Sequence, residues 1–318
     1  MRRDGITLPL AGMGLLEQRE LVASLPDLGF TDVWSSEVDG YDAFTPLALA
    51  SQWAPTLRLA TAIAPVFTRG PALLAQTAAT LATAAPGRFV LGIGSSSDVI
   101  VERWNGLPFT DPYGRTRDTL RVLRAALAGE KVDVETPTMR VQGFRLSVRP
   151  PEPVPIFVAA LRAGMLRLAA READGVILNW LSPDDMATVL AVLEGAGGAG
   201  EVVVRPFVLA CDDPETARAA GRRMVAQYLN VPVYAAFHRW LGRGEQLEGM
   251  WAAWQAGDRK AALEAIPDQV VDDLVVWGPP ERCREAIERY HAAGAHTTIP
   301  VVTPFGDPAA AVRSLGRA

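Results

Sequence analysis

The chain has 318 residues, 49% of them apolar, with 31 Lys and Arg against 36 Asp and Glu for a formal net charge of -5. That balance leaves no domain-scale basic surface and argues against a nucleic-acid-binding protein, although an anionic small ligand needs only local basic groups or free backbone N–H groups. The length fits two ordinary domains or one large α/β barrel.

The N-terminal "MRRDGITLPLAG" carries two arginines but no signal-peptide apolar core, and no apolar run reaches the roughly 18 residues of a bilayer span. A soluble, cytoplasmic protein is the expectation. Gly5–Gly12 reads as a first strand and Leu15–Gly29 as a helix, with Leu21, Val22 and Leu25 spaced for one face. Phe30–Val38 is a second strand and Ala43–Ala54 a second helix. Leu57–Phe67 is a buried strand, followed by a helix over Pro71–Ala85 that starts with proline, as helix N-termini tolerate. "RFVLGIG" is the fourth strand and Gly114–Glu130 the fourth helix.

The alternation breaks at Lys131–Pro153, where apolar and polar residues alternate around Thr136–Thr138, which predicts a hairpin and then a proline-rich link. It resumes with strand five, Val154–Ala160, and helix five, Ala163–Glu172. Strand six is Asp174–Trp180, and helix six follows with Ser182 as N-cap and Pro183 at its first position. Strand seven is Glu201–Ala210, and helix seven runs through "DPETARAAGRRMVAQYL". A helical stretch from about Asn230 to Gly278 holds Trp240, Trp251, Trp254 and Trp277. An amphipathic helix over Pro280–Ala295, strand eight over His296–Phe305 and a last helix complete the chain.

Eight strands, each followed by a helix and mostly continuous in apolar residues, predict one (β/α)8 TIM barrel over residues 1–318, with a hairpin inserted after helix four and a helical insertion before strand eight. A doubly wound sheet with a second domain is the competing arrangement. The unbroken alternation favours the barrel.

Much familiar chemistry is excluded. "GIGSSSDV" lacks the third glycine of a dinucleotide fingerprint and follows the fourth strand rather than the first. Ser96 fails the nucleophile-elbow pattern, because Asp98 stands where that pattern needs glycine. His238, His291 and His296 form no metal-binding spacing, and Cys211 and Cys283 read as buried free thiols. No metal is expected. In a barrel the C-terminal strand ends form the active-site rim. Glu37, Ser95, Ser96, Ser97, Asn179, Trp180 and Thr303 therefore come forward together, while Glu37 and Asp39 as a hydrolytic carboxylate pair compete with a plain polar loop.

Several segments in order resemble the luciferase-like flavin and deazaflavin oxidoreductases, above all their coenzyme F420-dependent members. They are the acidic residue after strand two, "TAIAP" in strand three, "PGRFVLGIG" at strand four, "VPIFVAALRAG" and "EADGVILNW". The likeness covers about Gly5 to Pro183. It implies a barrel, a homodimer, and hydride transfer between a ring in the barrel mouth and a small-molecule substrate. It implies a non-prolyl cis peptide at Ala62–Ile63 behind the ring, and phosphate binding at the turn Ala159, Ala160, Leu161, Arg162, Ala163 and Gly164, where a helix N-terminus offers free N–H groups. Gly94 and Ser95 to Ser97 would border the ring. Relatives that oxidise glucose 6-phosphate carry a histidine and a glutamate where this chain has Val38 and Ser97, so that reaction is not implied.

Glu37 is the expected general acid or base, with Asn179 beside it. Trp34, Trp104, Trp180, Phe237 and His238 are the expected substrate pocket, with Tyr234 and Trp240 near them, although the tryptophans and His238 read equally as packing residues. F420-dependent oxidation or reduction competes with an FMN-dependent monooxygenase and with a non-catalytic ligand-binding barrel.

Overall fold

The fold was analysed in a computed structural model that describes residues 2–198 and 200–317. Eight parallel strands close into a barrel. They are Arg3–Thr7, Asp32–Ser35, Arg58–Thr61, Phe89–Gly94, Ile156–Ala159, Gly175–Asn179, Glu201–Arg205 and Thr297–Thr298. Each pairs with its neighbour in chain order, strand three pairs strand four, and strand eight returns to strand one. Helices pack outside. Among the described residues, no helix is long and apolar enough to cross a membrane.

The expected strands are shorter or split, for local reasons. Strand one stops at Thr7, just ahead of Pro9, which cannot donate to a ladder. Helix one is a 3-10 turn, Leu16–Gln18, joined to Arg19–Ser24, with Leu25 still helical in backbone as its C-cap and Pro26 following. Pro206 interrupts strand seven and Pro300 strand eight. Their continuations, Phe207–Leu209 and Val301–Val302, leave the barrel to form a small sheet with Val275–Trp277. That last strand lies inside the segment expected to be helical. Four helices between Pro232 and Leu274 fill the rest of it. The hairpin is present as Val132–Thr136 against Met139–Phe144. A π-helical segment, Val99–Trp104, follows strand four where no element was expected.

Strand three is the irregular member. It pairs with strand four at Leu59 and Ala60, breaks at Ala62–Ile63, and pairs again at Ala64 and Pro65. The Ala62–Ile63 bond is cis, as the family likeness implies. Over this interval strand three uses one more residue than strand four, which makes it a bulge. Gly92 admits it: a Cβ there would lie 1.8 Å from the Thr61 carbonyl oxygen. The Thr61 hydroxyl donates to the Gly92 carbonyl at 2.7 Å and accepts from its N–H at 2.8 Å. Gly92 thus seats the backbone of strand three and not a ligand.

The barrel interior is layered. At its N-terminal end Asp32 is fully buried and accepts from Arg3 Nε at 2.8 Å and Arg58 Nη2 at 2.5 Å, while Arg58 also donates to Glu201. Above this cluster Trp34, Ala60, Val90, Phe157, Ile177, Val203 and Ile299 fill the middle. Trp34 is fully buried there. Its indole N–H points down to Asp32 at 3.4 Å and the Arg58 guanidinium lies 5.7 Å from its ring.

Two stability predictions follow from this interior. Asp32→Ala removes the fully buried carboxylate shared by Arg3 and Arg58, leaving Arg58 paired with Glu201 alone, and is expected to cost about 3 kcal/mol in urea unfolding; a loss under about 1 kcal/mol would show that the cluster is not structural. Gly92→Ala is expected to lower the urea midpoint well beyond Gly94→Ala, whose Cβ would meet only side chains, at 3.1–3.3 Å. Equal losses would contradict the seating of Thr61 on Gly92.

Candidate active site at the barrel mouth

The ends of strands two to seven converge at the C-terminal rim. Behind strand two, the Glu37 N–H donates to the Ile63 carbonyl at 3.3 Å, which ties its loop to the strand-three bulge. The Glu37 carboxylate is held by Arg69, whose Nε lies 3.0 Å from both oxygens and whose Nη2 lies 2.6 Å from Oε2. Oε2 also accepts from the Ala43 N–H at 3.1 Å. Arg69 in turn lies over the Phe44 ring at 4.8 Å. Both Glu37 oxygens are therefore engaged, and proton transfer there would have to break a bidentate ion pair. In this geometry Glu37 organises the loop.

After strand four, Ser96 takes φ 65°, the left-handed region that only a few per cent of non-glycine residues occupy. This turns the chain off the strand. Ser97 opens the π-helical segment, its carbonyl accepting from Val101 N–H at 2.9 Å. Gly94 sits between Ile63 and Ala159, so the bulge, strand four and strand five meet at small residues. After strand five, the turn through Ala160 to Gly164 opens a ten-residue helix with no side-chain cap. The first bond into that helix runs from Leu166 N–H to the Arg162 carbonyl, so the N–H groups of its first turn remain available. Arg162 and Gly164 are exposed, and a Cβ at Gly164 would meet nothing.

Strands six and seven carry the polar groups. Asn179 and Arg205 are register partners on adjacent strands and so face the same way. Asn179 Nδ2 donates to the Tyr234 hydroxyl at 3.3 Å, while its Oδ1 is buried without a partner. Arg205 donates from Nη2 to the Ser36 hydroxyl at 3.2 Å, and its Nε is buried without a partner. Its guanidinium lies 5.7 Å from the Phe207 ring. Burial pushes Arg205 below its ordinary range and Tyr234 above its own. Composition and motif scanning missed Arg205. The available signal was a lone cation ending the apolar run "EVVVR".

The aromatic residues expected in the pocket lie elsewhere. Trp34 is inside the barrel, as described. Trp180 takes φ 54°, which swings its ring onto Phe207 at 4.4 Å and Tyr228 at 4.9 Å, and it is only 2% exposed. Phe237 is buried against Trp240 at 6.0 Å. Trp104 is the opposite case: it ends the π-helical segment 54% exposed. His238 is fully buried with neither ring nitrogen partnered, close to the buried Arg243–Asp185 pair. Burial, helped by the Arg243 charge, pushes its imidazole down to about 3. The helical insertion packs its apolar faces against the barrel and encloses Phe237 and His238. Tyr234 does reach Asn179.

The luciferase-like monooxygenase family model matches residues 4–297. The chain belongs to this family. It is 30% identical over 312 residues to a Mycobacterium tuberculosis protein named, provisionally, as a coenzyme F420-dependent oxidoreductase, covering 89% of each chain. It is 26% identical over 310 residues to a 5,10-methylenetetrahydromethanopterin reductase of Archaeoglobus fulgidus, covering 92% of this chain and 91% of that one. Among solved structures, the F420-dependent tetrahydromethanopterin reductase of Methanopyrus kandleri superposes with a TM-score of 0.81 at 22% identity, over 99% of this chain and 97% of that one. An F420-dependent secondary alcohol dehydrogenase gives 0.75 at 17% identity over the same shares, and an FMN-bound Pseudomonas putida monooxygenase gives 0.67 at 18% over 100% and 97%.

The state of His238 predicts an acid sensitivity. Its folded value lies below the ordinary 6.5, so the unfolded chain binds the proton first. Stability is then complete above about pH 6.5 and falls as the pH drops toward 3, with a slope approaching about 1.4 kcal/mol per pH unit. Between pH 7 and 5, His238→Phe is expected to flatten the pH dependence of the urea midpoint. A variant with the same slope as the parent would place the acid sensitivity elsewhere.

Proposed function

We propose that this protein is a coenzyme F420-dependent oxidoreductase, with the deazaflavin ring over the strand-three bulge and its phosphate-bearing tail at the Ala160–Gly164 turn. The observation that supports this most is the pairing of two features on one rim. One is a small-residue platform of Ala62, Gly94 and Ala159 beside the cis Ala62–Ile63 unit. The other is an uncapped helix start with exposed Arg162 one strand away. A flat ring needs the first and an anionic tail the second. The name of the Mycobacterium tuberculosis relative leans the same way.

The residues fit such a group. Gly94 holds only Ile63 and Ala159 beside the rim, a Cβ at Gly164 would meet nothing, and the helix that starts there has no side-chain cap, which leaves room for a flat ring and free N–H groups for an anionic tail. When bound, the deazaflavin supplies or accepts a hydride. The chain's own part is to hold, orient and exclude. Ala62 and Ile63 present apolar side chains at a step in the backbone. Ser95 to Ser97 offer hydroxyls at its edge. The first-turn N–H groups and Arg162 hold the anionic tail. The Glu37–Arg69 pair fixes the strand-two loop beside the bulge and keeps that carboxylate from the reacting atoms.

An FMN-dependent monooxygenase is the second reading, supported by the FMN-bound fold neighbour. Fluorescence titration of the purified protein with F420 and, separately, with FMN decides between them. F420 is expected to bind at least tenfold more tightly; the reverse order would sink the proposal, and binding of neither would favour a non-catalytic barrel. Arg162→Ala is expected to weaken F420 binding about tenfold or less, with its tight-binding spectrum retained. An unchanged affinity would move the anionic tail away from this turn.

A further inference from the structure

Arg205 stands out among the cations of the barrel. Arg3 and Arg58 meet Asp32 and Glu201 at its lower end, and Arg69 meets Glu37 at the rim. Arg205, at the mouth end of strand seven, has a hydroxyl partner, Ser36, and aromatic neighbours in Phe207, Tyr228 and Tyr234. No carboxylate pairs with it among the described residues. A guanidinium offers five N–H donors in a planar fork, and leaving one buried and unpaired is costly unless a ligand completes it. Beside it, at the same register, Asn179 presents an unpartnered Oδ1 and Tyr234 a hydroxyl.

We propose that Arg205 is the anchor for a carboxylate on the substrate, with Asn179 and Tyr234 hydrogen-bonding polar groups close to that carboxylate. The substrate class is then a small organic acid with an apolar or aromatic body. This rests on the functional reading above for the chemistry that follows binding, but not for the binding itself. A carboxylate matches the fork with two parallel hydrogen bonds and neutralises the charge. The half-buried Tyr228 and Tyr234 rings, packed edge to face at 6.2 Å, wall one side and suit a planar apolar body. The chemistry demanded by Arg205 is an oxygen carrying negative charge, and the other source of such an oxygen is the cofactor ring.

Benzoate serves as probe and benzamide, nearly its shape without the charge, as control. Calorimetric titration into the parent protein is expected to show benzoate binding at least tenfold more tightly than benzamide. Arg205→Met is expected to abolish that preference. Arg205→Lys, which keeps the charge and loses the fork, is expected to retain a reduced part of it and covers the case in which Arg205→Met does not fold. Equal binding of benzoate and benzamide to the parent, or benzoate affinity unchanged in both variants, would overturn the proposal. F420 titration of the same variants separates the two sources. An F420 affinity within about threefold of the parent assigns Arg205 to the substrate, whereas a tenfold loss without benzoate binding assigns it to the cofactor and overturns the proposal. If the parent protein binds benzoate through Arg205 but not F420, the functional reading fails and the anion site stands.

Discussion

The contact between the Thr61 carbonyl and the bare backbone of Gly92 sets the geometry of the barrel mouth. No side chain can stand at position 92 while strand three lies where it does. With the Thr61 hydroxyl bonded to both polar atoms of Gly92, strand three is locked one step before its bulge. The extra residue is then accommodated at Ala62–Ile63, and pairing resumes at Ala64. Everything on that side of the rim follows. The Ile63 carbonyl takes the Glu37 N–H, the Gly94 carbonyl takes the Val66 N–H, and small residues meet where a larger set would fill the mouth.

The two ends of the barrel treat charge differently. At the lower end, buried arginines and carboxylates neutralise one another and share hydrogen bonds with Thr297, so the charges are structural. At the mouth Arg69 is neutralised by Glu37, while Arg205 meets a hydroxyl and aromatic rings. Burying a charge is tolerated where the geometry compensates it, and the place where compensation is incomplete is the place to look for a ligand. Trp34 separates the two regimes, its ring lying above the lower cluster and closing the interior beneath the mouth.

The helical insertion joins the barrel through polar as well as apolar contacts. Arg243 pairs with Asp185 at 2.8 Å and donates to Ser182 at 3.0 Å, and these two residues form the capping box that starts helix six. Tyr290 donates to the Leu181 carbonyl at 2.9 Å from the following helix. The loop after strand six is thereby clamped, and Trp180 and His238 are enclosed behind it. Their burial is the consequence of this docking, and what the insertion brings to the mouth is the Tyr234 hydroxyl.

Local order could be read from the residues alone. Apolar runs with helix-period segments between them marked the eight strands, and Ser182–Pro183 and Pro71 marked helix starts, because capping and proline act within a few residues. The rim residues Glu37, Ser95 to Ser97 and Asn179 were legible for the same reason: position at a strand end is a local property. What the tertiary structure decided was which of those groups are free. Glu37 is taken by Arg69, 32 positions away, and Trp180 is turned inward by its own backbone and by Phe207 and Tyr228. The strand Val275–Trp277 exists because the edge of Phe207–Leu209 is there to pair with. Arg205 reads locally as one cation among many, and it becomes distinctive only because the closed barrel withholds a carboxylate from it. Partners distant in the chain are chosen by packing, and no window of neighbouring residues contains that choice.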